Sequence, residues 1–172
     1  DQEKNLGKAS FLDAQIALAL MKIKPETALK AAASALENAR KTDPLNIPMY
    51  LVLQAMLDHQ QNRPAAALKQ IQNALEVWDD EPRWQSLAAV ITPDFEQAAD
   101  YYQKAIQLEP GFAGHHYALG DTLLASNQPE RAAESLEKAL EINPEYLEAW
   151  LALADSYTVM EKLPDARACA AK

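Results

Sequence analysis

The chain has 172 residues, of which 49% are apolar and 7% aromatic, and it contains four Gly and one Cys. This length suits a single domain with a substantial core, and no window approaches 18 apolar residues, which excludes a membrane span. The lone cysteine, Cys169, excludes an internal disulfide and suits a reducing compartment such as the cytoplasm, while a processed or exported form stays open.

The net charge of −9 is concentrated in the second half of the chain. Residues 1–78 carry nine Lys and Arg against eight Asp and Glu, a net of +1, whereas residues 79–172 carry seven against 17, a net of −10. Nucleic-acid binding requires the opposite sign along a groove. We therefore expect no nucleic-acid partner.

Apolar residues recur every three or four positions between proline-containing turns, which predicts amphipathic helices. The segments 11–23 and 27–41 predict a first hairpin, and 49–60 and 65–78 predict a second. A proline at the start of a helix is tolerated because its missing N–H has no partner there. Five such turns predict five hairpins. The prolines are Pro25, Pro64, Pro93, Pro129 and Pro164.

The clearest repetition starts at Pro110 and again at Pro144, 34 residues later. Residues 116–123, HYALGDTL, correspond to residues 150–157, WLALADSY. This pattern resembles the tetratricopeptide repeat family, in which W-x2-L-G-x2-Y, A-x3-F and P are spread over 34 residues. The resemblance implies an all-α fold, a right-handed α-solenoid of about five antiparallel helix hairpins forming a single domain over residues 1–172.

The repeats differ in length. The third unit is short, and in it we predict Thr92 as the N-cap and Pro93 as the first residue of a helix. The fifth unit is cut short, so we expect the natural protein to continue beyond Lys172 and this chain to be part of something longer. The approximate repeats are residues 9–44, 45–79, 80–110, 111–144 and 145–172.

No residue pattern of an active site is present. His115 and His116 are adjacent and so point about 100° apart on a helix, unlike the i, i+4 pair of many metal sites. His116 stands where the family has Trp, which predicts packing, and Gly120 is predicted to let two helices approach. Cys169 has no base near it in sequence. We therefore predict no catalytic residue, no cofactor, no metal and no enzymatic activity.

In the family, the first helix of each hairpin lines a concave groove that accepts an extended peptide or a helix. Carrying the groove positions over unit by unit gives a Met-rich first half and an acidic second half. The positions are Asp13, Ala17, Leu20 and Met21; Met49, Val52, Met56 and His59; Gln85 and Ala89; Tyr117, Asp121 and Leu124; and Glu148, Leu151, Asp155 and Thr158.

These residues predict a protein or peptide ligand with basic and apolar side chains, because Met suits adaptable apolar contact and carboxylates attract cations. The leading interpretation is a non-catalytic protein–protein interaction scaffold. The alternative is a regulatory or substrate-recognition segment of a larger, bacterial multidomain enzyme or assembly. A third is self-association through the end repeats.

Overall fold

A computed structural model describes the backbone of residues 33–34, 37 and 47–171. Over that part of the chain the regular structure is entirely α-helical, and none of the helices is long and apolar enough to cross a membrane. Most of the predicted first hairpin lies outside the described residues. The helices are α1 Ile47–Gln60, α2 Pro64–Leu75, α3 Pro82–Ile91, α4 Phe95–Leu108, α5 Ala113–Ala125, α6 Pro129–Ile142, α7 Leu147–Val159 and α8 Leu163–Ala170.

The chain divides into two compact units between Asp79 and Asp80. In the described part of the first unit, α1 packs against α2. In the second unit each helix from α3 to α8 packs against the next, and α5 also contacts α7. This arrangement places the first helices of two successive hairpins, α5 and α7, side by side.

Two apolar clusters hold the second unit together, and both are rich in Ala. Small side chains let neighbouring helices approach closely, so that larger residues from one helix fill the space beside another. One cluster includes Ala89, Ala99, Tyr102, Leu119 and Leu123, and the other includes Leu136, Leu140, Ala149, Leu153 and Cys169.

Gly120 sets the closeness of α5 and α6, as the sequence predicted. A Cβ atom added at Gly120 would lie 2.6 Å from Cγ of Leu136 and 3.1 Å from the carbonyl oxygen of Ala132. Leu136 is fully buried, with 0% of its surface exposed, so it has no space into which to move. The missing side chain of Gly120 is therefore replaced by Leu136 from the partner helix.

Three hairpin turns are closed by the same hydrogen bonds. Asn62, Asn127 and Glu161 have left-handed backbones, with φ of 59°, 60° and 59°. Each donates its N–H to the carbonyl three residues earlier, and the next residue donates to the carbonyl five residues earlier, over 2.8–3.0 Å. This Schellman arrangement satisfies carbonyls at the end of the first helix. Glu161 stands where the preceding repeat has Asn127.

The turn of the third hairpin differs from the prediction. Thr92 ends α3 and does not begin α4: its N–H bonds to the carbonyls of Ala88 and Ala89, and its hydroxyl donates to the Ala88 carbonyl over 2.7 Å. The N-cap of α4 is Asp94, whose side chain accepts from the N–H of Gln97 over 2.8 Å. The prediction of Thr92 was wrong because an Asp followed three residues later by Gln forms the stronger cap.

We expect Glu161→Asn to raise the free energy of unfolding by on the order of 0.5 kcal/mol, because Asn tolerates the left-handed backbone better than Glu does. The reverse change, Asn127→Glu, should lower it by a similar amount. Urea denaturation measures both. Equal stability of both variants and the wild-type chain would contradict this explanation of the turns.

Gly120→Ala should be less stable than Gly114→Ala by about 1–3 kcal/mol, the usual cost of overpacking. Both glycines lie in α5, and a Cβ at either would lie 2.6 Å from a side-chain atom. At Gly114 that atom is at the far end of the Phe112 ring, whose residue is 51% exposed and can rotate away. Thermal unfolding of the two variants makes the comparison, and equal melting temperatures would refute it.

Candidate functional site

The turns between successive repeats are fixed by a side chain at the Trp position of the pattern. Trp150 donates its indole N–H to the carbonyl of Pro144 over 2.9 Å. In the preceding repeat, Nε2 of His116 lies 3.2 Å from the carbonyl of Pro110. His116 therefore makes the contact of the Trp that it replaces.

His115 has a role that the sequence did not reveal. It is buried, with Nδ1 2.9 Å from the hydroxyl of Ser86 and Nε2 3.3 Å from the carboxylate of Glu109. Its ring also meets Phe112 edge to face, with centroids 4.6 Å apart. Only 3% of His115 is exposed, so the imidazole is closed to a substrate. This trio joins α3 to α5 and to the turn between α4 and α5.

The predicted groove residues of α5 and α7 lie on one side of each helix. On α5, Tyr117, Asp121 and Leu124 follow each other by four and three residues, a spacing that places them on one helix face. Glu148, Leu151 and Asp155 do the same on α7. We call these six residues the acidic face.

Contacts and charge link the two halves of the acidic face. The rings of Tyr117 and Tyr146 are 5.0 Å apart, which brings the start of α7 against α5. Burial raises the pKa of Tyr117, and the charges of Asp121 and Glu148, on different helices, raise it further together with Tyr146. Burial and Asp121 also raise the pKa of Tyr102. The aromatic hydroxyls at this face therefore stay neutral under ordinary conditions.

The carboxylates of the acidic face are exposed and uncompensated. Asp121, Glu148 and Asp155 are exposed and form no ion pair with any described residue. Leu151 is 53% exposed beside them, and Leu124 is half-buried. A surface with free negative charge and exposed apolar area suits a ligand that has both cationic and apolar side chains.

The predicted positions on α1 and α3 have less surface for a ligand. In the first unit Val52 is buried and Met56 is half-buried, while the Met49 side chain lies outside the described residues. In α3, Gln85 and Ala89 are both buried. The structure therefore provides an accessible surface mainly at α5 and α7.

The end of the second unit holds a charged hydrogen bond and the chain's cysteine. The hydroxyl of Tyr157 donates to the Glu137 carboxylate over 2.6 Å, and this bond, with burial and nearby charge, raises the pKa of Tyr157 to about 12. Burial raises the pKa of the Cys169 thiol, as do the charges of Asp165 and Glu137. A buried thiol with a raised pKa is a poor nucleophile. Cys169 is therefore a core residue.

No three His, Cys, Asp or Glu residues come together as a metal site in residues 33–34, 37 and 47–171. The nearest approach to a catalytic arrangement in that part of the chain is the buried trio of Ser86, His115 and Glu109.

Comparison with known protein families gives two matches, both to tetratricopeptide repeat models. One model matches residues 94–137 and 123–172, and the other matches residues 52–113. Together they cover the chain from residue 52 to residue 172. No curated protein matches the chain significantly.

Solved structures of repeat proteins are similar to this chain over most of its length. With pilF of Pseudomonas aeruginosa the identity is 20% and the TM-score 0.80, over 98% of this chain and 75% of that one. With MamA (residues 41 to the end) from Desulfovibrio magneticus RS-1 the identity is 17% and the TM-score 0.76, over 95% of this chain and 92% of that one. With TTC0263, a thermophilic TPR protein in Thermus thermophilus, the identity is 22% and the TM-score 0.66, over 92% of this chain and 88% of that one. These likenesses confirm the predicted all-α solenoid fold.

Tyr157 supplies a pH-dependent test of the end of the second unit. Because its pKa in the folded chain, about 12, lies above the ordinary value of 10, the stabilisation from its hydrogen bond is fully present below pH 10 and lost as the pH rises through 12. At pH 8 we expect Tyr157→Phe to lower the free energy of unfolding by about 1 kcal/mol.

The titration of Tyr157 is measured as the difference in absorbance at 295 nm between the wild-type chain and Tyr157→Phe. The midpoint should lie near pH 12 and should fall in the Glu137→Gln background, which keeps an acceptor and removes the charge. A midpoint near pH 10 in the wild-type chain would show that the bond to Glu137 does not form in solution.

Proposed function

Because the chain belongs to the tetratricopeptide repeat family, we propose that it is a non-catalytic protein-interaction scaffold whose acidic face binds a peptide or helix with Lys or Arg side chains. Tetratricopeptide repeat proteins are protein-interaction scaffolds generally, which supports the class of function. The ligand chemistry is inferred from the acidic face itself.

One observation carries the proposal. Asp121 on α5 and Glu148 on α7 both raise the pKa of Tyr117, and neither carboxylate forms an ion pair with a described residue. Two carboxylates near one aromatic ring repel each other, and a cation between them is attracted by both. A Lys or Arg side chain of a ligand provides that cation. Leu151, exposed on the same face, supplies apolar contact.

The packing of α5 and α7 supports binding by a preformed surface. Tyr117 and Tyr146 both pack against the cluster that contains Leu136 and Leu153, so the two helices are held before a ligand arrives. A rigid surface loses little conformational freedom on binding, and most of the entropy cost falls on the ligand. The exposed carboxylates accelerate association and select for charge.

Peptides selected from a random library on the immobilised chain should be rich in Lys and Arg with interspersed apolar residues. Their affinity, measured by fluorescence polarisation, should fall at least about tenfold in the triple variant Asp121→Lys, Glu148→Lys and Asp155→Lys, because each former attraction becomes a repulsion. Raising the salt concentration should weaken binding to the wild-type chain.

The matched control reverses three exposed carboxylates on α4 and α6 through Asp100→Lys, Glu130→Lys and Glu134→Lys. Both triple variants change the net charge from −9 to −3, so a general effect of net charge would change the peptide affinity of both variants equally. The control should keep wild-type affinity within about twofold. If both variants lose affinity equally, or neither does, the acidic face is not the binding site.

A further inference from the structure

An open pocket of about 490 Å³ lies at the turn before α7. It is lined by Pro144, Glu145, Leu147 and Trp150, and Leu147 is 60% exposed. Leu147 lies one helical turn before Leu151 of the acidic face in α7, so the pocket adjoins that face. None of its walls was predicted from the sequence as a ligand contact.

The preceding repeat shows what makes this pocket distinctive. A shift of 34 residues takes Glu145 to Gly111, Leu147 to Ala113 and Trp150 to His116. The carboxylate and the large apolar wall are thereby lost, and the indole becomes a smaller ring. The backbone turn is the same in both repeats, since His116 and Trp150 each meet the proline carbonyl. The pocket is thus created by side chains and not by the fold.

The indole of Trp150 is held in one orientation. Its N–H bonds to the Pro144 carbonyl over 2.9 Å, and the ring packs against the apolar cluster around Leu153. Tryptophan is the side chain whose ring face attracts cations most strongly. Elsewhere in the second unit Lys104 lies 5.6 Å from the ring centre of Tyr101, and Lys162 lies 5.8 Å from that of Tyr157. Over Trp150, no described residue supplies such a cation.

The carboxylate of Glu145 is available for the same cation. Glu145 is exposed, and its backbone N–H bonds to the Asn143 side chain over 3.1 Å, which orders the turn. Its carboxylate forms no ion pair with the part of the chain that the structure describes. A pocket lined by a carboxylic acid residue, a fixed Trp and an exposed Leu suits an Arg or Lys side chain, which has a positive charge at the end of an apolar stem.

We propose that Pro144, Glu145, Leu147 and Trp150 form a subsite for a guanidinium-bearing side chain of the ligand, with the cation over the indole and against the Glu145 carboxylate. As a part of ligand recognition this inference rests on the proposed function, but its structural basis is separate from the carboxylates of the acidic face. Arg fits better than Lys because its flat guanidinium stacks on an aromatic ring while it pairs with a carboxylate.

The first test uses the smallest probe with the required chemistry. N-acetyl-arginine amide is titrated into the 15N-labelled chain, and the indole N–H resonance of Trp150 is followed after assignment with Trp150→Phe. We expect a saturable shift of that resonance, smaller shifts for Trp78 and Trp84, and no shift with N-acetyl-citrulline amide, which has the same shape without the charge. Equal shifts with both probes, or none with the arginine probe, would refute a cation subsite.

Two exposed wall residues can be changed without disturbing the core. Glu145→Gln should lower the binding affinity of the arginine probe by about two- to fivefold, the effect of losing one exposed ion pair. Leu147→Ala, which introduces the residue of the preceding repeat, should weaken it through lost contact with the side-chain stem. Trp150→Leu should weaken it about three- to tenfold, as expected for a lost cation–π contact. Circular dichroism establishes that each variant is folded.

A peptide obtained from the library selection separates this inference from the proposed function. If Glu145→Gln weakens binding of the peptide while Glu134→Gln does not, the subsite takes part in recognition. If only the triple variant of the acidic face weakens it, the subsite is refuted and the proposed function stands. If the arginine probe shifts the indole resonance of Trp150 and no peptide can be selected, the subsite binds a cation and the proposed function fails.

Discussion

The close contact between Gly120 and Leu136 fixes how α5 lies against α6. Because a Leu side chain fills the space that a Cβ would need, α5 can adopt only the rotation that turns its glycine toward α6. That rotation buries Leu119 and Leu123 and leaves Asp121 in solvent. The same rotation turns Tyr117 toward the start of α7, where it meets Tyr146. The arrangement of the acidic face thus depends on a small residue that belongs to the core.

Much of the fold could be predicted because the repeat is expressed in local features. The prolines, the spacing of apolar residues and the 34-residue shift each depend on a few neighbouring positions, and a shift alone sufficed to equate His116 with Trp150. The burial of His115 could not be predicted in this way. Glu109 lies six residues away in the turn before α5, whereas Ser86 lies 29 residues away and reaches His115 only because the fold brings α3 close to α5. The left-handed backbone at Glu161 was hidden for another reason, since Glu is not a residue that usually adopts it.

The candidate site shows the same division between pattern and packing. The six residues of the acidic face follow from the helical spacing of α5 and α7, where the repeat pattern is clear. The pattern served less well in α1 and α3, where Val52, Gln85 and Ala89 are buried. The pocket at Trp150 was missed because a comparison of repeats finds what they share, whereas three of the four residues that line this pocket differ between the fourth and fifth repeats.

The chain contains one cysteine, and its location gives the second unit a built-in reporter of local unfolding. Cys169 lies in the core cluster that packs α8 against α7, and only 7% of its surface is exposed. A thiol reagent can reach it only when α8 separates from its neighbours, so the modification rate depends on the equilibrium between the closed and opened forms of this hairpin. Slow opening would appear as a rate independent of reagent concentration, and fast opening as a rate proportional to it. The opening of α8 can therefore be followed through the native cysteine, without adding a reporter residue by mutation.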